Sequence, residues 1–132
     1  MLHHVSLGVA DIERAACFYD AVLGALGYIR VWEDLSPGDD EQAVGYGMPG
    51  GDDALAIKSR GTGARAPGPG FHLAFASSSR DAVAAFHAAA LQHGGESNSA
   101  AGLRPDYGAD YYAAFVVDPD GYQIETVINQ AP

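Results

Sequence analysis

An internal repeat restricts the folds that this chain can adopt. The segment HVSLGVADIERAACFYDAVLGALG, which begins at His4, aligns without gaps with HLAFASSSRDAVAAFHAAALQHGG, which begins at His72, at an offset of 68 residues. The two histidines coincide, and so do Phe18 and Phe86. Self-similarity on this scale predicts two related structural modules.

Each half of the repeat predicts a strand followed by a helix. Apolar residues first alternate, as in a strand with one buried face, and then recur at helical spacing over residues 11–26 and 79–93. Short strands are expected at 28–33, 42–48 and 54–58. Residues 95–110 are expected to be a loop with at most one short strand, and 111–128 to be two strands joined by the turn DPDG.

The order of these elements predicts an α+β fold of two βαβββ modules. We expect a cupped, mostly antiparallel mixed sheet with the helices on its outer face. One domain would span residues 1–132, with module one at 1–58, a linker at 59–70 and module two at 71–128. The linker SRGTGARAPGPG is rich in Gly and Pro and has no hydrophobic period, so it is a candidate edge for a pocket.

Charge and composition exclude several classes of function. The formal net charge is -10 and the pI is about 4.6, which argues against a nucleic-acid-binding surface. No stretch reaches the length of about 18 apolar residues that a membrane span needs, and no signal peptide is recognisable. We expect a cytoplasmic protein that acts on a small molecule.

Three residues are candidate metal ligands. His4 and His72 lie at equivalent repeat positions, on strand faces whose other residues are small, and Glu125 lies in the middle of the last predicted strand. A buried carboxylate is costly unless it has a partner. If the modules meet about a local two-fold axis, the three side chains form a divalent-metal site with open positions, suited to Zn, Ni, Fe, Mn or Co. Each of the three, taken alone, is more often a structural or solvated residue.

Three segments resemble the vicinal oxygen chelate superfamily, which includes glyoxalase I, extradiol dioxygenases, fosfomycin-resistance enzymes and bleomycin-binding proteins. They are LHHVSLGVADIERAACFYDAVLGALGY, GFHLAFA and YYAAFVVDPDGYQIETV, and together they span nearly the whole chain. The resemblance implies paired βαβββ modules around a metal held by His4, His72 and Glu125. It also implies a catalytic role for Glu125.

The resemblance favours a metal-dependent lyase or isomerase of glyoxalase type. Glyoxalase I has a fourth ligand, a Glu on the last strand of module one, where the offset of 68 places Ile57 beside Lys58. A three-ligand set is closer to dioxygenases and fosfomycin-type transferases. An extradiol-type ring-cleaving dioxygenase and a non-catalytic drug- or metabolite-binding protein, similar to bleomycin-resistance proteins, are therefore the alternatives.

Basic and aromatic residues near the long loops are candidates for substrate binding. Lys58 and Arg104 are placed to hold an anionic group in this acidic chain, although solvated loops also carry such charges. Tyrosine hydroxyls are the other candidates, and they belong to Tyr46, Tyr107 and Tyr112, with Tyr111 between the last two.

Exposed strand edges predict a homodimer, since such edges are normally covered or paired. In small members of the resembling family, modules from different chains commonly share one metal site. By that analogy, His4 comes from one subunit and His72 with Glu125 from the other. The linker is long enough for either arrangement, so the sequence leaves open whether the site lies within one chain.

Overall fold

The computed structural model describes residues 1–132 and contains two β-α-β-β-β modules. Module one consists of β1 (Val5–Val9), α1 (Ile12–Gly24), β2 (Ile29–Asp34), β3 (Ala43–Gly47) and β4 (Leu55–Ser59). Module two consists of β5 (Leu73–Ala76), α2 (Arg80–Gln92), β6 (Glu96–Leu103), β7 (Tyr111–Val117) and β8 (Gln123–Asn129). The predicted α+β class and module order are confirmed.

The eight strands form two four-stranded sheets with the same topology. The strand order is β1-β4-β3-β2 in module one and β5-β8-β7-β6 in module two. The first and fourth strands of each module pair in parallel, and the other pairs are antiparallel. The mixed, mostly antiparallel character that the sequence predicts is therefore present in both sheets.

Both helices begin at side-chain caps. The carboxylate of Asp11 accepts hydrogen bonds from the backbone N–H groups of Glu13 and Arg14, and the hydroxyl of Ser79 accepts one from Ala82. These bonds satisfy N–H groups that have no partner within the helix. Neither helix has the length and hydropathy that a membrane crossing requires.

The helices cover one face of each sheet and contact each other. A single core of 19 buried residues runs through both modules, and Phe18 of α1 and Phe86 of α2 are both fully buried in it. The apolar face of each first strand, such as Leu7 and Val9 in β1, points into this core. We call the opposite side of each sheet its open face, and the candidate ligands lie on these faces.

The turn between β7 and β8 ties the two modules together. Tyr19 of α1 donates a 2.5 Å hydrogen bond to the buried carboxylate of Asp118, which also accepts from the backbone N–H groups of Asp120 and Tyr122. The Tyr122 hydroxyl then donates to the carbonyl of Gly8 in β1 at 2.7 Å. Burial raises the pKa of Asp118 and holds the pKa of Tyr19 well above its usual range.

One strand is longer than predicted. Residues 95–110 were expected to hold at most a short strand, whereas β6 extends over eight residues, Glu96–Leu103. Its sequence ESNSAAGL has no apolar alternation, and its register against β7 shifts at two places. Pairing with β7 therefore determines this edge strand, and local preference does not.

Candidate metal centre

His72 and Glu125 are in contact on the open face of module two. In the parallel pair of β5 and β8, Ala74 lies opposite Glu125, so His72 precedes that position on the same face. His72 Nε2 lies 3.1 Å from Glu125 Oε1. Two ligand atoms about 2.0–2.2 Å from one ion have a separation close to this. This pair therefore fits two positions of one metal ion.

Glu125 is nearly inaccessible, and its second oxygen is bound by a tyrosine. The residue is 1% exposed, and the Tyr111 hydroxyl donates a 2.5 Å hydrogen bond to its Oε2. Burial, together with the hydrogen bond and the charge of Glu125, raises the pKa of Tyr111 to about 12. The two oxygens of this buried carboxylate thus have one partner each, which explains how a strand rich in apolar residues accommodates it.

His4 lies apart from this pair in the single chain. It is exposed just before β1, where its Nδ1 lies 2.9 Å from Nδ1 of His3. The one group of three metal-ligating side chains whose ligand atoms all lie within 4.8 Å of one another is His3, His4 and Asp53. His4 lines one cavity and His72 another. One chain therefore brings two of the three predicted ligands together and leaves the third elsewhere.

The position that corresponds to Glu125 in module one is Ala56, and the assignment to Ile57 from the sequence offset was wrong. Ser6 and Ala74 are equivalent in the repeat, and they lie opposite Ala56 and Glu125 respectively. The offset is therefore one residue larger at the fourth strand than at the first. Since Ala56 has no ligating atom, module one offers no carboxylate at this position.

A tryptophan covers the open face of module one. Trp32 lies opposite Gly45 across β2 and β3, and a Cβ placed on Gly45 would be 2.2 Å from the indole nitrogen. Gly45 in turn lies opposite Ala56 in β4. The ring occupies the space above Gly45, where a side chain would otherwise lie, and Trp32 remains 39% exposed. Sequence reasoning missed Trp32, although a lone Trp on a strand next to one that contains Gly is a signal of such packing.

A cavity of about 620 Å³ adjoins His72. Its wall includes Phe71, Tyr107, Phe115 and the linker residues 67–70, and the amides of Asn98 and Gln123 line it as well. The linker was expected to form a pocket edge, and it does so here. The cavity combines aromatic walls with a few polar groups, which is typical of small-molecule sites.

Three predicted substrate residues lie on open faces. Tyr107 lines the cavity beside His72. The Arg104 guanidinium lies 5.5 Å from the centre of the Phe115 ring and donates to Ser99 Oγ at 2.6 Å, so it is held over the face that carries Glu125. Lys58 is partly exposed in β4 opposite Gly8, on the open face of module one.

The other two predicted substrate residues lie on the helix side of their strands, away from the open faces. Tyr46 is 1% exposed, and its hydroxyl donates to Asp20 of α1 at 2.9 Å. Tyr112 lies on the helix side of β7, where the Arg80 guanidinium sits 4.9 Å from its ring centre. Because side chains alternate along a strand, Tyr111 and not Tyr112 faces the site. The substrate-binding assignments of Tyr46 and Tyr112 are therefore corrected, because neither side chain lies on an open face.

The chain belongs to the Glyoxalase/Bleomycin resistance protein/Dioxygenase superfamily, because the profile of that family matches residues 1–126. The topology and the His/Glu pair agree with the resemblance seen in the sequence. The family assignment places the protein among relatives that include enzymes.

Individual relatives match over almost the whole chain. The lactoylglutathione lyase of Salmonella typhimurium is 32% identical over 126 residues, which is 96% of this chain and 90% of that protein. The crystal structure of a glyoxalase/bleomycin resistance protein from Albidiferax ferrireducens T118 is 35% identical, with a TM-score of 0.77 over 96% of this chain and 97% of its own. Glyoxalase I from Zea mays shares the fold at 22% identity and a TM-score of 0.74, and the match spans 96% of this chain and 45% of that one.

Proposed function

We propose that the protein is a divalent-metal-dependent lyase or isomerase of glyoxalase type, acting on a small, oxygenated, anionic substrate. The observation that carries the proposal is the contact between His72 Nε2 and Glu125 Oε1 at 3.1 Å, beside a cavity of about 620 Å³. The lactoylglutathione lyase of Salmonella typhimurium, 32% identical, supports a reaction of this type.

We further propose a homodimer in which His4 of one chain completes the centre that His72 and Glu125 of the other begin. Two ligands leave a metal ion weakly held, and His4 does not reach them within its own chain. His4 is exposed, and so are the hydrophobic residues nearby at the start of the chain, Met1 and Leu2. A two-fold dimer would cover these residues and supply the missing imidazole to both centres at once.

The protein side chains have distinct roles in this proposal. The metal would supply a Lewis acid that stabilises negative charge on a substrate oxygen. Glu125 is the one carboxylate of the centre, since Ala56 replaces its module-one counterpart, and it is the candidate for proton transfer as well as for metal binding. Arg104, held over Phe115, is placed to bind an anionic group of the substrate, and Tyr107 forms part of the pocket wall.

The lack of a fourth ligand at Ala56 also favours a second candidate function. A centre with two histidines and one carboxylate is the ligand set of non-haem Fe(II) oxygenases. A ring-cleaving dioxygenase of extradiol type is therefore the alternative to the lyase or isomerase. A binding protein without chemistry is the remaining alternative, and it needs no metal.

Metal analysis after anaerobic purification tests the proposal. Bound nickel or zinc, with turnover of small carbonyl compounds or thiol adducts, is the result expected for the lyase or isomerase. Bound iron with turnover of catechols would favour the dioxygenase. A protein that retains no metal, and gains no activity when Ni²⁺, Zn²⁺, Co²⁺, Mn²⁺ or Fe²⁺ is added, would contradict enzymatic function. Glu125→Gln is the matched variant, because it keeps the shape of the side chain and removes its charge.

A further inference from the structure

A second group of metal-ligating side chains lies away from the His72–Glu125 pair. His3, His4 and Asp53 each offer one ligand atom, and all three atoms lie within 4.8 Å of one another. The backbone fixes this arrangement, because the Val5 N–H donates to the Ala54 carbonyl at 3.0 Å. That bond joins the start of β1 to the turn between β3 and β4, which carries Asp53.

The hydrogen bonds of His3 direct a lone pair into the group. His3 Nε2 lies 3.3 Å from Asp52 Oδ2. A carboxylate only accepts, so in neutral His3 this nitrogen carries the proton and Nδ1 has the lone pair. That Nδ1 accepts a 2.9 Å hydrogen bond from Nδ1 of His4, so His4 must move its proton to Nε2 before its Nδ1 can bind an ion. A carboxylate behind the far nitrogen of a histidine is the usual support of a metal-ligating imidazole.

The separation of the two imidazole nitrogens is compatible with two ligands of one ion. Ligands about 2.0–2.1 Å from a metal lie about 2.9 Å apart when they are at right angles and about 3.4 Å apart in a tetrahedron. The observed 2.9 Å between the Nδ1 atoms of His3 and His4 matches the right-angled arrangement. Ni²⁺ and Cu²⁺ prefer such square-planar or octahedral positions. The carboxylates of Asp52 and Asp53 add negative charge to the site.

We propose that His3, His4 and Asp53 form a second divalent-cation site on the single chain, and that this site competes with the subunit-shared centre for His4. A neutral imidazole has one lone pair, so His4 can bind only one of the two ions. The site itself stands on the geometry of the group, whereas the competition rests on the proposed function. Excess metal would then hold His4 away from the shared centre.

Paramagnetic broadening of histidine NMR signals by Ni²⁺ tests the second site. The chain has five histidines, so each imidazole can be followed separately. In Glu125→Gln protein, we expect the signals of His3 and His4 to broaden at lower Ni²⁺ than those of His87 and His93. Adding Asp53→Asn should raise the Ni²⁺ needed by about tenfold or more, because even residues that merely support a ligand cost about 10–100-fold.

The outcomes separate this inference from the proposed function. Equal broadening of all five histidines, or no effect of Asp53→Asn, would overturn the second site. In protein with Asp53→Asn and an intact Glu125, broadening of His72 and His4 at the same Ni²⁺ supports the shared centre, and broadening of His72 without His4, or of neither, contradicts that centre alone. The competition predicts that His72 broadens at lower Ni²⁺ in Asp53→Asn protein than in wild type, and an equal or higher requirement would refute it.

Discussion

The Tyr111 hydroxyl donates a 2.5 Å hydrogen bond to Oε2 of Glu125, while Oε1 of the same carboxylate lies 3.1 Å from His72 Nε2. One oxygen is thereby held by a tyrosine and the other faces the histidine. If Glu125 binds a metal in this position, it does so through Oε1 alone, and Tyr111 determines the orientation of the carboxylate.

Tyr111→Phe should therefore weaken metal binding by about 10–100-fold, the usual cost of removing a residue that orients a ligand. Calorimetric titration with Zn²⁺ or Ni²⁺, in proteins that also carry Asp53→Asn to remove the second site, measures this loss. Tyr107→Phe is the matched control, because Tyr107 is 66% exposed and packs its ring 5.3 Å from that of Tyr111. Equal affinities of the Tyr111→Phe protein and wild type would show that the hydrogen bond has no part in ligand orientation.

Arg104→Ala should weaken the binding of an anionic ligand by about tenfold, or about 1.4 kcal/mol. A suitable pair of probes is a small hydroxamate with a carboxylate group and the same hydroxamate without it. The neutral probe should bind nearly as well to the variant as to wild type. Arg65→Ala is the control, since Arg65 donates to the backbone of Thr62 in the linker. Equal losses for both probes would count against recognition of charge by Arg104.

Gly45→Ala should displace the indole of Trp32, because the new Cβ would lie 2.2 Å from its nitrogen. The chain has one tryptophan, so its fluorescence reports this residue alone. We expect an emission shift to longer wavelength as the ring becomes more exposed. Gly24→Ala is the control, because a Cβ there meets nothing within 4 Å. An unchanged emission spectrum in the Gly45→Ala protein would mean that Trp32 does not rest on Gly45 in solution.

The contribution of Asp118 to the free energy of unfolding should fall as the pH rises. Burial raises its pKa in the folded protein above the unfolded value, which is about 3.9, and the hydrogen bond from Tyr19 opposes this shift. A raised folded pKa means that the contribution is fully present below the unfolded pKa and is lost as the pH rises through the folded one. Wild-type stability relative to Asp118→Asn should therefore be greatest below about pH 3.9 and decline as the pH rises above that value.

Urea unfolding of the metal-free proteins at several pH values measures this difference. Asp106→Asn, at an exposed position, is the control, and its difference from wild type should vary little with pH. A difference between wild type and Asp118→Asn that grows as the pH rises would contradict the assigned direction of the shift.

The sequence was sufficient to predict the contact between His72 and Glu125. Strand alternation put each residue on the face opposite the apolar one, and the repeat identified the first strand of module two. The same reasoning failed for Tyr112, because the pairing of β7 with β8 decides which of the alternating side chains of β7 face the site. With Tyr111 paired with Asn129 and Phe115 with Glu125, it is Tyr111 that shares the face of Glu125.

Longer-range relationships were beyond the sequence. The module-one equivalent of Glu125 is Ala56 and not Ile57, because module two has one more residue than module one between its first and fourth strands. The gap-free alignment covers only the first half of each module and does not reveal this residue. The sequence does not distinguish Tyr46 from other strand residues. Only the packing of α1 against β3 shows that its hydroxyl donates a hydrogen bond to Asp20. The position of His4 depends on how two modules are arranged in space, and local sequence does not encode that.

Metal binding by mixed, inactive variants tests the shared centre most directly. His4→Ala protein and Glu125→Ala protein, both also carrying Asp53→Asn to remove the second site, are unfolded, mixed and refolded. If His4 of one chain completes the His72–Glu125 pair of another, the mixture contains heterodimers with one intact centre and binds metal that neither variant binds alone. If the mixture binds no more metal than the separate variants, or if wild type is a monomer by light scattering at micromolar concentration, the account of a centre shared between subunits is contradicted.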